Sequence, residues 1–496
     1  MSTKTNTEVT DSSKNNHTAP SDSYDLVIIG AGPGGYSTAL RSAQLGARVA
    51  LIEEDSTVGG TCLNRGCIPT KALMSATSTI TLSAHARQLG IQSTFDGIDF
   101  NKLTTFKQSS VDAMTTGLSQ LLSQRQVTVI HGRASILSPR TVEVTNDSKQ
   151  PFVLHANDIV LATGAHSTPL PEQPFTSDIL DSDRALDLKQ FPEHPVIIGA
   201  GAVAVEFASI WQAAGSQVRL LIRKDRVLSD WDRRTSMALT RALQKQGIEI
   251  ITGSQCARIE HEHEGLCVSY SSSQTDSNGL EQQVTADKVL VAIGRTPNTD
   301  DPWFAQAGIN TDPHGLVLTD SFGHTSCKHV WAVGDITPGY HFAHRAFEQG
   351  IVVAESIAGL NPLPVDENSI PQVVFSTPQA ACIGLGKESA EARDDLLEIQ
   401  ETIYPMLSNA RMRMSGSTGS LSLVTACKTE DPTTRIVVGV HIVAPEAAEL
   451  IAEAEQIVGN QVPVSKAARL IHPHPTFSEA LGEALLKADG RPLHMR

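Results

Sequence analysis

What the chain lacks narrows its function before any motif is read. No apolar run approaches the roughly 20 residues that cross a bilayer; the longest uncharged stretch near the start, Leu26 to Leu40, is broken by four glycines and a proline. Positive charge is in deficit, 39 Lys+Arg against 54 Asp+Glu for a net charge of −15. That balance argues against nucleic acid or an anionic membrane surface as a partner. Cysteine is scarce at 7 in 496 residues, too few for a disulfide scaffold. Cys256, Cys267, Cys327, Cys382 and Cys427 are scattered, as expected in a reducing cytoplasm. The first 23 residues hold no arginine and no apolar segment, and they include Glu8, Asp11 and Asp22. They read as a disordered polar tail, neither a secretory signal nor a transit peptide.

What is present describes a multidomain globular chain, about three domains at roughly 150 residues each. Tyr24-Asp25-Leu26-Val27-Ile28-Ile29 reads as a strand that runs into Gly30-Ala31-Gly32-Pro33-Gly34-Gly35 and an amphipathic stretch to Leu45. The same device recurs 169 residues later: Pro195 to Ile198, then Gly199-Ala200-Gly201-Ala202-Val203-Ala204, then a helical stretch to Ala214. One such loop is weak evidence, but two, each between a strand and a helix, mark two nucleotide-binding units. Their glycines let the backbone approach a pyrophosphate at a helix N-terminus. Strand endings at Ile159 to Gly164 and Val289 to Gly294 bracket the second loop, so the second unit reads as an insertion in the first. The expected boundaries are 1–23 for the tail, 24–165 and 290–361 for the first unit, 166–289 for the second, and 362–496 for an α+β domain with helices over Glu446 to Val458 and Val464 to Leu470. A further strand, Val330 to Val333, ends in Gly334-Asp335, an acid where α/β proteins gather ligands.

Glu53 follows Gly30 by 23 residues at the end of a second strand, the place of an acid that binds ribose hydroxyls. A surface glutamate is the alternative. The same offset from Gly199 falls on Ile222, followed by Arg223 and Lys224, with Arg226 beyond. An arginine there suits a 2′-phosphate, so the second site leans towards NADP(H). NAD(H) held by other contacts is the alternative. In Gly59-Gly60-Thr61-Cys62-Leu63-Asn64-Arg65-Gly66-Cys67-Ile68-Pro69-Thr70-Lys71 two cysteines lie five apart. A regular helix would hold them beyond the ~7 Å reach of a disulfide, but Gly66 permits a tighter turn. Pro69 suits a helix start, and a helix N-terminus stabilises a thiolate. The segment reads as a redox pair, with two unrelated buried thiols as the other reading. No second Cys or Cys/His pair of suitable spacing supports zinc.

With Ala332-Val333-Gly334-Asp335, Ala343-His344, and His474-Pro475-Thr476 followed by Ser478-Glu479, this segment resembles the flavoprotein disulfide reductase family over about residues 24 to 490. Gly34-Gly35-Tyr36 and Ala343-His344-Arg345-Ala346 are closer to its lipoamide branch, the dihydrolipoyl dehydrogenases, than to its glutathione branch. The resemblance implies an α/β fold: two Rossmann-like dinucleotide-binding domains, the second inserted in the first, plus a C-terminal α+β dimerisation domain. It implies a homodimer with FAD and with NAD or NADP. FAD would lie on Gly30, Gly32 and Gly35, with Glu53, Lys71, Gly132, Thr163, Gly164, Asp335, Ala343 and His344 about it. Gly199, Gly201, Glu206, Arg223 and Gly294 would serve NAD(P), Glu206 pairing with Lys71. Cys67 would face the flavin, Cys62 would exchange with substrate, and His474, held by Glu479, would be the base supplied by the partner subunit; without the resemblance, His472-Pro473-His474-Pro475 reads more often as a rigid surface turn. The implied reaction is oxidation of dihydrolipoamide on the lipoyl domain of a 2-oxoacid dehydrogenase complex or the glycine cleavage system. Two rivals stand beside it: an NADPH-dependent reductase of glutathione or another small disulfide, favoured by Arg223, and a redox-inactive assembly subunit. Ala204 takes the place of the third glycine of the second loop, and Ser376-Thr377-Pro378-Gln379 replaces the family's usual Thr-His-Pro-Glu.

Overall fold

A strand that is apolar on both faces, such as Leu26 to Ile29, has to be covered on both sides. In the computed structural model, which describes residues 22–146, 149–263, 265–272 and 281–495, this run forms the strand Ser23–Ile29 inside a seven-stranded sheet. Of the tail expected over 1–23, residues 1–21 lie outside the described residues, and Ser23 already pairs with His155. The sheet runs Thr128–His131, Val49–Glu53, Ser23–Ile29, Lys149–Leu161, Thr141–Asn146, Arg133–Ser138, with Val330–Ala332 also beside Lys149–Leu161. Its nucleotide half is parallel, and Arg133–Ser138 and Thr141–Asn146 form an antiparallel flank.

Between Leu161 and Val330 the chain builds a second, five-stranded parallel sheet in the order Glu249–Ile251, Arg219–Leu221, Val196–Ile198, Val289–Val291, Ile179–Leu180. The second dinucleotide unit is thus inserted in the first. The chain leaves and re-enters through a two-stranded ribbon, Ala165–Ser167 against Arg295–Pro297. A third sheet, antiparallel, runs Gln372–Val374, Gln379–Gly384, Asp431–Ala444, Ser420–Lys428, Leu396–Pro405. Helices Ala447–Gly459 and Glu479–Ala488 bury Ile451, Ala454, Leu481 and Leu485 in its core.

One apolar cluster joins the three bodies. Leu73 of the first unit, Phe207 and Trp211 of the second, and Val374, Ala380 and Val443 of the third pack together. Side chains more than a hundred residues apart are held in register there, among them neighbours of Lys71 on one helix and of Glu206 on another.

Two helix ends differ from the sequence reading. A helix over Glu446 to Val458 is expected, and it forms as Ala447–Gly459, with Glu446 left-handed at φ 57° before it. A helix over Val464 to Leu470 is expected, but only Val464–Ala467 is helical. Beyond it Leu470 and Ile471 are 53% and 97% exposed, so no burial offsets the cost of a longer helix. Pro473 and Pro475 then hold their preceding residues out of the helical region.

Candidate active site

Gly66 divides the cysteine segment. At φ −142° and ψ −108° it ends the short helix Gly60–Arg65, and the helix Cys67–Ala86 starts on the next residue. The sequence places that start at Pro69; it lies two residues earlier. Proline is tolerated in the first turn, and Cys67 gains the position where unpaired N–H groups favour a thiolate. Both cysteines are free thiols. The Cys62 thiol hydrogen-bonds to Cys67 and, with help from Lys71 and against burial, lowers the Cys67 pKa to about 7. The same hydrogen bond and then burial push Cys62 far up. As a pair they release one proton near neutrality and hold the second. The Tyr36 phenol, also pushed up by burial and by both cysteines, lies beside them.

Lys71 sits one turn after Cys67, on the same helix face. Its Nζ donates to both carboxylate oxygens of Glu206, at 3.0 and 2.9 Å. Glu206 is buried on the helix Ala202–Ala213 of the inserted unit. The Phe375 N–H donates to the same carboxylate at 3.1 Å, and its ring centroid lies 4.4 Å from Lys71 Nζ. Nothing in the sequence marks Phe375. Arg65, likewise unmarked, contacts Asp55 at 2.5 Å and Asp183 at 3.4 Å, tying the helix between the cysteines to the ribose loop and to the inserted unit.

The first glycine loop is a tight cradle. Gly30 has φ +100°, and a Cβ on it would come 2.3 Å from the Ala162 carbonyl oxygen. A Cβ on Gly35 would come 1.8 Å from the Gly30 carbonyl oxygen. The helix Pro33–Gln44 starts after Gly32 with no side-chain cap, so its first N–H groups are offered to an anion. Glu53, at the end of its strand and 5% exposed, accepts from the Ala31 N–H at 2.8 Å and the Asp55 N–H at 3.0 Å. Burial pushes its pKa up while those N–H groups pull it back. Asp335 follows the strand Val330–Ala332 and lies 3.9 Å from Arg295. Thr163 donates to the Asn298 carbonyl, Gly164 has φ +70°, and Gly132 has φ +157°. Ala343 opens the helix Ala343–Ile357, whose His344 Nε2 bonds the Pro371 carbonyl at 2.8 Å. These residues, scattered over more than 300 positions, gather at the carboxyl edge of one sheet and at the start of the helix Ala343–Ile357, and they fit FAD.

In the second loop Gly199 has φ +139°, and a Cβ there would come 2.1 Å from the Ala292 carbonyl oxygen. Gly201 differs: at φ −83° it needs no glycine for its backbone, and a Cβ would meet no protein atom. Space before an uncapped helix, demanded by neither packing nor dihedral angle, fits a pyrophosphate. Gly294, at φ +146°, is open in the same way. Ala204, where a third glycine is common, is fully buried in the core. At the ribose position Ile222 is 1% exposed. Three nearby cations are engaged: Lys224 by Asp230, and Arg226 and Arg233 by Asp225. Arg223 is exposed and has no acidic partner among the described residues.

The last group lies in the third domain. Glu479 opens the helix Glu479–Ala488. The His474 Nδ1–H donates to its Oε1 at 2.7 Å, and the Thr476 N–H donates to its Oε2 at 2.8 Å. Burial acts upward on Glu479, but the His474 and Thr476 hydrogen bonds outweigh it and hold the carboxyl low. With Nδ1 engaged, Nε2 faces outward on a side chain that is 75% exposed. Within the chain His474 meets neither Cys62 nor Cys67 among the described residues. In the Ser376-Thr377-Pro378-Gln379 segment, Gln379 Oε1 accepts from the Ala448 N–H at 3.0 Å, so the amide caps the first turn of the helix Ala447–Gly459.

The family described as pyridine nucleotide-disulphide oxidoreductase matches residues 24–350, and its dimerisation domain matches residues 370–485. The chain belongs to this family. A dihydrolipoyl dehydrogenase of Geobacillus stearothermophilus is 35% identical over 473 residues, covering 95% of this chain and 97% of that one. Dihydrolipoyl dehydrogenase 3 of Pseudomonas putida is 35% identical over 476 residues, covering 95% and 100%. Among solved structures, the HOCl-induced flavoprotein disulfide reductase RclA of Escherichia coli superposes with a TM-score of 0.80 at 28% identity, covering 93% and 99%. LpdA of Mycobacterium tuberculosis, at 24% identity and a TM-score of 0.84 over 93% and 99%, shares the fold. The family's cofactors are FAD and a pyridine nucleotide, and its dimerisation domain supports a homodimer. Among the described residues no helix is long and apolar enough to cross a membrane.

The cradle makes a prediction for this oxidoreductase. Gly35→Ala presses a Cβ against backbone that cannot yield, so it should destabilise the first unit by about 3 kcal/mol and release the flavin. A melting curve and the visible absorbance of the purified variant check both.

Proposed function

We propose that this chain is a dihydrolipoyl dehydrogenase, oxidising dihydrolipoamide to lipoamide with reduction of NAD(P)+ in a homodimer. The observation that carries this is the Cys62–Cys67 pair, with Cys67 at a helix N-terminus, its thiol acidified to about 7 and Lys71–Glu206 one turn away. In the oxidised pair, a substrate thiolate attacks Cys62 Sγ. The Cys62–Cys67 bond breaks, Cys67 leaves as a thiolate, and a mixed disulfide joins Cys62 to substrate. The second substrate thiol gives its proton to the partner subunit's His474 and displaces Cys62, closing the substrate disulfide. Two electrons now reside in the dithiol. Bound FAD supplies the two-electron relay from that dithiol to the nicotinamide. Lys71 keeps positive charge beside Cys67 while Glu206 orients it from the inserted domain. Glu479 holds the His474 ring so that Nε2 meets the thiol proton, and the Gly30, Gly32 and Gly35 loop with Glu53 holds the pyrophosphate and ribose.

The partner in this reading is the lipoyl domain of a 2-oxoacid dehydrogenase complex or the glycine cleavage system, supported by the names of the relatives. The five cysteines outside the pair are free, which suits a reducing cytoplasm. The domain boundaries 24–165, 166–289, 290–361 and 362–496 belong to the same proposal.

Arg223 favours a second reading, an NADPH-driven reductase of glutathione or another small disulfide. Its exposed guanidinium beside Ile222, with no acidic partner among the described residues, suits a 2′-phosphate. The test is turnover of dihydrolipoamide with NAD+ and with NADP+, against NADPH with oxidised glutathione. Dihydrolipoamide oxidation supports the main reading, and turnover of glutathione alone refutes it. Arg223→Ala should lower kcat/KM for NADP(H) about ten- to a hundredfold, the worth of one charge-assisted hydrogen bond, and leave NAD(H) within about twofold.

A further inference from the structure

The loop that carries His474 contains a second histidine in the opposite situation. His472 is 10% exposed at its side chain where His474 is 75% exposed. The His472 Nε2 lies 2.8 Å from Glu453 Oε1, on the helix Ala447–Gly459. A carboxylate only accepts, so Nε2 carries the proton. The other edge of the ring lies on Gly482 of the helix Glu479–Ala488, where an added Cβ would come 2.4 Å from Nδ1 and 2.8 Å from Cε1. Gly482 is three residues after Glu479, on the same side of that helix. The ring is therefore wedged between two helices, one of which holds the carboxylate that orients His474. The same loop is tied by the Asn409 amide to the Thr476 carbonyl at 2.8 Å and by the Thr476 N–H to Glu479.

We propose that His472 is a positioning residue for the dithiol half-reaction: its bond to Glu453 and its seat on Gly482 hold the loop so that His474 stays bonded to Glu479 and presented outward to the partner subunit. The glycine at 482 is explained by the same contact, since a helix interior otherwise disfavours glycine. The inference rests on the reading of His474 as the base for substrate thiols. It adds a group that never touches substrate and acts only through the placing of another.

The test uses the purified holoenzyme as His472→Ala, Gly482→Ala and Glu453→Gln, with two assays and a melting curve. One assay follows dihydrolipoamide oxidation; the other follows electron passage from reduced nicotinamide to ferricyanide, which needs no base at the disulfide. His472→Ala and Gly482→Ala should lower kcat with dihydrolipoamide ten- to a hundredfold, the order expected of a misplaced catalytic group, and leave the ferricyanide rate and the coenzyme KM unchanged. Glu453→Gln keeps an acceptor oxygen and should retain most of the activity. Unchanged dihydrolipoamide turnover in both variants, or an equal loss in both assays, overturns the proposal. A wild-type enzyme that reduces ferricyanide but does not oxidise dihydrolipoamide refutes the substrate reading instead, and the variants are then compared by the same criteria with NADPH and oxidised glutathione.

Discussion

Cys67→Ser should cut dihydrolipoamide turnover by at least about a thousandfold, as losing the group that carries the reacting bond does, and leave electron passage from reduced nicotinamide to ferricyanide intact. Serine can neither close a disulfide with Cys62 nor leave as a stable anion near neutral pH. The route from nicotinamide to an artificial acceptor does not use the cysteines. Substrate turnover and ferricyanide reduction measured on one preparation separate this loss from a failure to fold or to retain flavin. The acid–base side has a defined sign. The Cys67 pKa is lowered to about 7, chiefly by the Cys62 hydrogen bond and then by Lys71, with burial and Glu206 opposing. The reduced pair therefore carries a thiolate above about pH 7 and two neutral thiols below it. Thiolate absorbance of the reduced protein should rise through that pH, and Lys71→Met should move the rise upward. A midpoint unmoved by that change would remove Lys71 from the account.

The second large effect is His474→Ala, expected to lower dihydrolipoamide oxidation about a hundred- to ten-thousandfold, the range for a lost general base. The exposure of His474 gives this prediction a sharper form. In the proposed reading, a base that is 75% exposed and bonded to Glu479, and that among the described residues meets neither cysteine, would act on a site of which the other half lies on a partner. Mixing inactive Cys62→Ser subunits with inactive His474→Ala subunits should restore activity. In a hybrid dimer one site combines both lesions and the other has none, so random exchange returns about a quarter of the wild-type rate. Persistent inactivity in a mixture shown to contain hybrids would place the whole site within one subunit.

The parts legible in the sequence were those in which function is written into consecutive residues. Gly30, Gly32 and Gly35 announce a loop because a pyrophosphate needs backbone close to it. Cys62 and Cys67 announce a redox pair because Gly66 lets two short-range neighbours meet. Even there the reading was incomplete: the helix starts at Cys67 and not at Pro69, which sets the cysteine itself at the helix N-terminus. Other groups left no local trace. Phe375 bonds Glu206 from a third domain, and a backbone N–H is available at almost any residue. His472 lies in a His-Pro-His-Pro run that by itself reads as a rigid surface turn, and its partner Glu453 is 19 residues away on another element.

By itself the sequence determined the two nucleotide loops, the nesting of one unit inside the other and the cysteine chemistry, because each is a short pattern imposed by local geometry. The tertiary structure alone decided which side chains meet across distance. It brings Lys71 to Glu206 across 135 residues and three bodies into one apolar cluster around Trp211. It also buries Ile222 while leaving Arg223 exposed, and turns His474 outward while wedging His472 between two helices. Such contacts arise when separate elements bury their apolar faces against one another, and hydrophobic packing, being non-directional, leaves no signature in the spacing of the polar residues it brings together.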